Sequence, residues 1–549
     1  MKNNAETTHS QHHADQQGRV PDMANKAGHE SDEHAALSSS SRGRSISKIA
    51  LASLSALVVL AMMFVLVAIE PAQGKVDSDN SGSAMQTHAV TQHTIMGYCP
   101  SRMSLADSGN YGDSQFQASA GDISSDSAHA AFGAIYDSSI TAFPNNDGTA
   151  LATQLEDKDP TNDAAVSIAQ SDVNAHALVQ NTQLLDTKSG AGAASSVVSQ
   201  ATQGDLRGLS ATSCVSPALS QSFLLPATDT GWTQQLVIAN PTDKATAISF
   251  NVWGTVKTGT LALNTARTVT IGAGSESVYD LAAAAPQQDG LFVTVASKDT
   301  AVAAVVKVVG LDGLKSLGSE YVTATGSAAQ SMVLPGVTKG QHVKLLAYAE
   351  SASKLSISWV TKAGLKNATS QSLEAHRVAS IDMGSVPDDA MAVSVTADND
   401  IHASAITTVD GSDGQQDFGV IAAQSTPQFS AIALPKGLGG SLVLANRSTQ
   451  EASADIDIYN ADGARLETKT VQIGPNAASS LALSDLGSNI AAITVQQQAS
   501  SKNALSWDIA LSSSTLDDAK IAASSYLQPV SLMLQHARIT VNETVGVLR

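Results

Sequence analysis

The chain is 549 residues long and carries a formal net charge of −19 at pH 7. Its first 48 residues hold equal numbers of acidic and basic side chains, so the negative charge belongs entirely to the rest, and so acidic a chain is a poor partner for nucleic acid. Aromatic residues make up 4% and charged residues 15% of the sequence, while Ala, Ser, Thr and Val abound. This composition favours several modest β domains over one large enzyme core.

The N-terminal segment, residues 1–48, is polar and has no hydrophobic periodicity. Such a segment cannot bury enough apolar surface to offset its conformational entropy, so it is predicted to be a disordered cytoplasmic tail. We interpret its histidines as solvated low-complexity sequence rather than as a metal site. His29 and His34 are five residues apart, whereas a zinc-protease helix needs histidines four apart to share a face.

An uncharged stretch of twenty-one residues follows, at 49–69. As a helix with a rise of about 1.5 Å per residue it would span roughly 31 Å, close to the hydrocarbon thickness of a bilayer. It is longer than the apolar core of a cleaved signal peptide, and no clean small-residue cleavage site follows it, so an uncleaved signal anchor is expected. Arg42, Arg44 and Lys48 precede it and place the N-terminus in the cytoplasm. The sequence predicts a single-pass protein of the cytoplasmic membrane whose C-terminal ectodomain lies outside.

Residues 70–95 are rich in Ser, Gly and Asp and are predicted to form a flexible stalk. The next part, 96–217, contains both cysteines of the chain, Cys99 and Cys214. Short apolar stretches alternate there with turn signals, and acidic residues outnumber basic ones, which indicates a β-rich domain with a long acidic insertion. An even number of cysteines in an oxidising compartment favours a disulfide. We expect a Cys99–Cys214 bond that closes this domain.

From residue 218 the sequence repeats itself. Leu-Pro pairs at 225–226, 334–335 and 434–435 each precede a short apolar run and then a strictly alternating segment. Alternation with period two is typical of half-buried strands, and several short strands in about 100 residues indicate a β-sandwich. The fold class is therefore predicted to be mainly β, with one N-terminal transmembrane helix followed by tandem immunoglobulin-like sandwiches. The predicted bounds of these sandwiches are 218–328, 329–426 and 427–549.

The predicted sandwiches are large enough to hold separate cores, and we expect them to form an elongated array with small polar contacts between neighbours. Each repeat also carries an acidic residue about fifty positions after its Leu-Pro pair, namely Asp280, Asp382 or Asp485. No second acid or histidine recurs beside it. We interpret these residues as acids that hydrogen-bond nearby backbone at turns, rather than as a repeated functional site.

Short motifs in this part of the chain resemble those of a known family. They are Gly204 to Leu209 followed by Cys214, the step Asn240-Pro241-Thr242, and Cys99-Pro100. The chain resembles an uncharacterised actinobacterial cell-envelope family, the domain of unknown function 5719, over roughly residues 95–549. The resemblance implies an exported or membrane-anchored β-rich protein without an assigned activity. The middle repeat departs from it, because Ala349 stands where the other repeats have Asn240 and Asn446.

The sequence indicates a protein that is not an enzyme. Fragments of the penicillin-binding-enzyme signature occur at 78–80, 257–259 and 351–354, but the SxxK fragment comes last along the chain instead of first. The histidines of the three repeats lie at non-equivalent positions. We predict no catalytic residues, no cofactor and no metal site.

Two functions of different classes are consistent with these features. The first is a non-catalytic, membrane-anchored envelope protein whose β array acts as a spacer or scaffold for surface components. The alternative is a surface protein that binds cell-wall or host glycan. Sugar sites usually stack rings on exposed aromatic side chains. The candidates are Trp232, Trp253 and Trp507, since Trp359 falls on a predicted inward face.

Overall fold

The computed structural model describes most of the chain after residue 84. The described ranges are 85–106, 118–144, 153–155, 164–173, 176–501 and 503–542. The predicted tail, the predicted anchor and most of the predicted stalk lie outside these ranges. Within them, no helix combines the length and the apolar character needed to cross a bilayer.

The described chain begins with strand β1 (Met85–Thr91), and a first β-sandwich follows. Sandwich 1 contains eight strands: β2 (Thr94–Cys99), β3 (Ser124–Phe132), β4 (Ile135–Phe143), β5 (Thr153–Gln154), β6 (Val166–Asp172), β7 (Ala177–Leu184), β8 (Gly192–Ala201) and β9 (Gly208–Ser213). They form two antiparallel sheets. The strand order is β2-β7-β4-β5 in what we call the front sheet and β6-β3-β8-β9 in the back sheet.

Sandwich 2 repeats this arrangement. Its strands are β10 (Ser220–Leu225), β11 (Trp232–Asn240), β12 (Thr246–Gly254), β13 (Thr268–Ile271), β14 (Ser275–Asp280), β15 (Leu291–Ser297), β16 (Ala303–Asp312) and β17 (Lys315–Val322). A short helix, α1 (Leu281–Ala284), follows β14. The front sheet has the order β10-β15-β12-β13 and the back sheet β14-β11-β16-β17, so each strand occupies the place of its counterpart in sandwich 1.

Sandwich 3 has the same plan with one long strand. Its strands are β18 (Ala329–Pro335), β19 (His342–Tyr348), β20 (Ser353–Thr361), β21 (Gly364–Leu373), β22 (Ala379–Ser385), β23 (Ala390–Asp410) and β24 (Gln416–Ala422). Strand β23 has 21 residues. Its first half pairs with β18 and β20 in the front sheet, and its second half pairs with β19 and β24 in the back sheet. It therefore takes the places of the sixth and seventh strands together.

Sandwich 4 completes the series. Its strands are β25 (Phe429–Ala433), β26 (Gly439–Asn446), β27 (Ala452–Asn460), β28 (Arg465–Ile473), β29 (Ala478–Ala482), β30 (Ile490–Gln497), β31 (Leu505–Ser512) and β32 (Tyr526–Leu527). Helix α2 (Ser514–Ala519) precedes β32, and β33 (Val530–Ser531) adds to the front sheet beside β25. Short 3₁₀ turns lie at Ser412–Gly414, Leu483–Asp485 and Ala499–Ser501.

The mainly β fold is confirmed, with three differences from the prediction. The acidic domain is a fourth copy of the same sandwich rather than a separate kind of domain. In an immunoglobulin constant domain the first strand lies beside the second, and the seventh beside the sixth. Here the first strand pairs with the sixth and the seventh with the second, so the immunoglobulin-like strand order is wrong. The third difference concerns how the sandwiches assemble.

The alternating segments form the third strand of their sandwiches, as their pattern predicts. Ile248, Phe250 and Val252 on β12 are at most 1% exposed, and the corresponding residues of β20 and β27 are also buried. Period-two alternation places every second side chain on one face, and in these strands that face lies in the core between the two sheets.

The four sandwiches close into a ring instead of extending into an array. Each front sheet shares an apolar cluster with the back sheet of the next sandwich, and sandwich 4 returns to sandwich 1. Pairs of residues in these shared clusters are Tyr98 and Tyr321, Phe292 and Tyr348, Val333 and Ala445, and finally Ala431 and Ala130. Residues 85–543 accordingly form one compact unit. The prediction of an elongated array with polar contacts is wrong, because the outward strand positions carry Ala, Val and aromatic side chains.

The two ends of this unit are joined by backbone pairing. The last described strand, β34 (His536–Asn542), runs antiparallel to β1 over seven residue pairs, from Met85 opposite Asn542 to Thr91 opposite His536. The amide of Gln92 continues the ladder to the carbonyl of Gln535 at 2.8 Å. The start and the end of the described chain therefore lie side by side.

Candidate functional site

The predicted disulfide is present. Cys99 ends β2 and Cys214 directly follows β9, and their sulfurs are bonded with the two Cα atoms 4.4 Å apart. Both cysteines are buried beside Val173 and Val197. The bond ties the first strand of the front sheet to the end of the back sheet across sandwich 1.

The three candidate tryptophans do not form one surface. Trp507 is 3% exposed in the core of sandwich 4, where its indole N–H donates to Ser430 Oγ at 2.9 Å. Its ring therefore has no face open to a sugar. Trp232 and Trp253 are half-buried, and each ring contacts other aromatic rings at the boundary of sandwiches 2 and 3. Trp359 is buried, as its inward position predicts.

The repeated polar residues are used within the fold. Asp280 caps α1 by accepting a hydrogen bond from the Ala283 amide at 2.9 Å, and Asp382 accepts one from the Gly384 amide at 2.8 Å. Asn240 and Asn446 are buried, and each donates through its side-chain amide to the carbonyls of two nearby turns. Asp280 and Asp382 thus hydrogen-bond nearby backbone, as the interpretation of the repeated acids predicts.

Two buried carboxyl groups lie where the eighth strands of all four sandwiches contact one another, a region we call the hub. Asp417 Oδ2 accepts from the amides of Leu209 (3.0 Å) and Ser524 (2.9 Å), which belong to sandwiches 1 and 4. Glu320 accepts from the Ala211 amide at 2.9 Å and from Ser525 Oγ at 2.7 Å. Burial raises the pKa of Glu320 and of Asp417 well above the ordinary carboxyl range, although these hydrogen bonds oppose the shift.

The family-like motif at 204–209 supplies part of the hub. Gly208 has φ +136°, and a Cβ on it would lie 2.7 Å from Asp417 Oδ1. Gly318 has φ +103° and would bring a Cβ to 2.4 Å from the same oxygen. Glycine is needed at both positions because the backbone approaches the carboxyl group so closely. Glu320 and Asp417 are not among the residues predicted from the sequence, although an acid inside an apolar strand is a signal for a buried, partnered carboxyl group.

A further polar group closes the boundary of sandwiches 1 and 2. Tyr98 donates to Glu276 Oε1 at 2.6 Å, and Lys307 donates to Ser101 Oγ at 2.9 Å and to the Arg102 carbonyl at 2.7 Å. Burial lowers the pKa of the Lys307 amine to about 8. A lysine with a lowered pKa can act as a nucleophile. Lys307, however, is 4% exposed and already donates to two partners. These side chains therefore hold the two sandwiches together and do not face a substrate.

Ser127 and His129 are the nearest approach to a catalytic pair that we find in the described chain. His129 Nε2 lies 3.0 Å from Ser127 Oγ. Both residues are fully buried between the sheets of sandwich 1, and burial lowers the pKa of His129 to about 4. A serine that a substrate cannot reach does not serve as a nucleophile, so the pair is part of the sandwich interior.

An open cleft lies between the front sheet of sandwich 4 and the back sheet of sandwich 1, and we call it the seam cleft. Its volume is about 220 Å³. Phe132 and Tyr459 meet edge to face in its floor with ring centroids 6.2 Å apart, and Phe429 lies half-buried in its wall. Two oppositely charged pairs also line it: Asp186 with Lys188 at 2.8 Å and Asp457 with Arg465 at 3.6 Å. The cleft combines an aromatic surface with donors and acceptors.

Comparison with known proteins gives one family. The model of a family of unknown function, DUF5719, matches residues 164–484, which is more than half of the chain. The match includes the motif at 204–209 and the step 240–242, while Cys99-Pro100 lies outside it. No curated protein matches the chain.

Proposed function

Because the chain belongs to the DUF5719 family, whose description names no activity, we propose from its own structure that the protein is a non-catalytic scaffold of the cell envelope. In this proposal the stretch 49–69 anchors it in the cytoplasmic membrane, and the ring of four sandwiches lies outside and holds other surface components. The ring carries out this task through its surface, without a cofactor or a chemical step.

The pairing of β1 with β34 supports this proposal most directly. It brings both ends of the ring to one place, so a protein anchored at its N-terminus would hold the ring at a single point. The other faces of the ring are then left for partners. Residues 70–84 alone connect the proposed anchor to β1, and fifteen residues of fully extended chain reach about 50 Å at most. The closed ring favours a scaffold near the membrane over a long spacer.

The shared apolar boundaries support a rigid scaffold. Each sandwich buries both of its outer faces against neighbours, as Phe292 and Tyr348 do with ring centroids 3.9 Å apart. Such boundaries resemble domain cores rather than the polar contacts between independently moving domains. A rigid ring keeps its surface positions at fixed distances, which is what a scaffold requires.

Cross-linking in cells tests the proposal. Photo-reactive amino acids are placed at Tyr136, Val278 and Leu365, which are 74%, 59% and 49% exposed on sandwiches 1, 2 and 3. The matched control carries the label at Phe250, which is 1% exposed. We expect the exposed positions to cross-link to envelope components and the buried one to cross-link only within the chain. Equal capture by exposed and buried positions would contradict a scaffold.

The location is tested separately. Protease added to intact, wall-stripped cells should cut between 69 and 85 and release the ring while sparing the residues before 49. Release is followed with an antibody against the ring, and a cytoplasmic protein serves as the control for cell lysis. A ring that stays fully protected until the cells are lysed would show that it does not lie outside the membrane.

A further inference from the structure

The seam cleft offers a combination of groups that suits one kind of ligand. Its two acids and two bases cancel, so the lining has no net charge with which to attract an ion. Each cation already faces a carboxylate, and an anionic ligand would have to displace that carboxylate. A cationic ligand would likewise compete with Lys188 or Arg465. Simple ions are therefore poor occupants.

A neutral ligand with several hydroxyl groups meets no such competition. One hydroxyl can accept a hydrogen bond from Lys188 or Arg465 and donate one to Asp186 or Asp457, because hydroxyls do both. Hydrogen bonds that involve a charged partner are the stronger ones, and the cleft offers two such pairs on opposite walls. Thr494 and Gln496 add neutral polar side chains on the sandwich 4 side.

The aromatic wall of the seam cleft places a second requirement on the ligand. Phe429 begins β25 and is half-buried in the wall of the cleft, and the loop of sandwich 1 passes close to its ring at Gly190. Gly190 has φ +95°, and a Cβ there would lie 3.3 Å from the Phe429 ring. A ring face beside charged hydrogen-bonding groups fits a ligand that is apolar on one face and hydroxylated at its edges. Sugar rings have this character.

The walls are held in place by the fold. On β27, Ile456 and Ile458 point into the core of sandwich 4, which directs Asp457 outward to the cleft. Thr468 on the neighbouring strand donates to Asp457 Oδ1 at 2.5 Å and fixes the carboxylate. Pockets for drug-sized ligands measure about 300–1,000 Å³, so the 220 Å³ of the seam cleft suit one small ring.

We propose that the seam cleft binds one residue of a neutral saccharide chain. This activity goes beyond the scaffold function and does not depend on it. The saccharide could come from the wall of the protein's own cell or from the surface of another cell, and the chemistry of the cleft is the same for both.

The proposal is tested with the ring itself, residues 85–543, which form one compact unit. The probes are neutral trisaccharides of glucose, mannose, galactose and N-acetylglucosamine, and binding is measured by saturation-transfer NMR and calorimetry. We expect at least one probe to bind, with signal transfer strongest from aromatic protons. No binding of any neutral trisaccharide at 10 mM, on the order of ten times a weak millimolar Kd, would overturn the proposal.

Two variants locate the binding site. Lys188→Gln removes the charge of one donor, and Phe429→Leu keeps an apolar side chain but removes the ring. Each should weaken the bound trisaccharide about tenfold or more, because a charge-assisted bond or a stacked ring is lost. Lys366→Gln is the matched control: Lys366 also belongs to an exposed ion pair, at 3.9 Å from Asp389, but lies in sandwich 3. The Lys366→Gln variant should bind the trisaccharide as tightly as the parent protein does.

Other results of these binding measurements would overturn either the site or the ligand class. Equal weakening in Lys366→Gln, or no weakening in the two cleft variants with unchanged thermal unfolding, would place the sugar elsewhere and overturn the site. Tighter binding of a uronic-acid trisaccharide than of every neutral one would overturn the ligand class. If the proposal holds, competition by purified wall polysaccharide from the protein's own cells or by neutral glycans from another organism identifies the source.

Discussion

Sandwiches 1 and 2 have the same strand order but different interiors. Sandwich 2 encloses a large apolar cluster that includes Phe223, Phe250 and Leu236. Sandwich 1 places Gln180, Thr182, Ser138, Ser195 and His129 between its sheets. The two interiors show that this strand order does not depend on one kind of core.

The polar interior of sandwich 1 is hydrogen-bonded internally. Gln180 donates through its amide to Ser138 Oγ at 3.2 Å and to Thr182 Oγ1 at 3.3 Å, and it accepts from Ser195. His129 Nδ1 has no hydrogen-bond partner among the described residues. Buried polar groups contribute less net stability than the same volume of apolar side chains, because their hydrogen bonds replace bonds to water. Sandwich 1 is also the sandwich that carries the disulfide. We expect the bond to offset the lower stability of its polar interior.

The largest effect is expected on removal of the disulfide. Replacing Cys99 and Cys214 together by Ser opens a link between residues 115 apart, and the chain-entropy model assigns such a loop about 4–5 kcal/mol. Hydrogen exchange should then lose protection in sandwich 1 before sandwich 2. Exchange that accelerates equally in all four sandwiches would show that the bond stabilises the whole ring, not its polar sandwich.

The apolar interior of sandwich 2 should respond to a cavity. Phe250→Ala removes a ring that is 1% exposed, and such changes cost about 3–5 kcal/mol in the free energy of unfolding. Chemical denaturation of the ring measures the change. Tyr136→Ala is the control, because that side chain is 74% exposed and its loss should change stability by no more than about 0.5 kcal/mol.

The polar interior of sandwich 1 should weaken at acidic pH through His129. Burial lowers its pKa from 6.5 to about 4, so the neutral form is favoured in the folded state. The stability it contributes is present above pH 6.5 and is lost as the pH falls toward 4, by up to roughly 3 kcal/mol. His129→Gln should flatten the stability of sandwich 1 over this range, as measured by hydrogen exchange at pH 7 and pH 4.5. An unchanged pH slope in the variant would exclude His129 as the titrating group.

The pH dependence of the hub should be opposite to that of His129. The stability that the hub contributes should be greatest at acidic pH and should fall as the pH rises. Because burial raises the pKa of Glu320 and Asp417, the stability that their protonated forms provide is present below the unfolded pKa and is lost as the pH rises through the folded pKa. Unfolding midpoints at pH 5 and pH 8 compare the parent with Glu320→Gln and with Asp417→Asn. We expect the stability of each amide variant, relative to the parent, to be greater at pH 8 than at pH 5, and a difference between variant and parent that is the same at both pH values would contradict this assignment.

Much of the local structure was predictable from particular residues. The alternation of Ile248, Phe250 and Val252 predicted both a strand and its buried face, and two cysteines predicted their bond. The fourth copy of the sandwich escaped prediction because sandwich 1 lacks the Leu-Pro start and has serines, a glutamine and a histidine at inward positions. Its hydrophobic pattern therefore does not match that of the other three, although its strand order does.

The candidate sites were harder to predict because they depend on long-range contacts. Trp507 and an exposed tryptophan look alike in sequence, and only the packing of sandwich 4 shows that Trp507 is buried. The seam cleft is lined by both Lys188 and Arg465, which are about half of the chain apart in sequence and come together only because the ring closes.

The sequence by itself determined the strands, their inward faces and the disulfide, because alternation, turn residues and cysteine chemistry act over short distances or on few candidates. Only the tertiary structure decided that the sandwiches form a ring, that Glu320 and Asp417 meet at its hub, and that a cleft opens at its seam. The physical reason is that an outward-facing Ala or Val is compatible with solvent and with a neighbouring sheet alike. Whether it is buried depends on the shape and position of residues hundreds of places away in the chain.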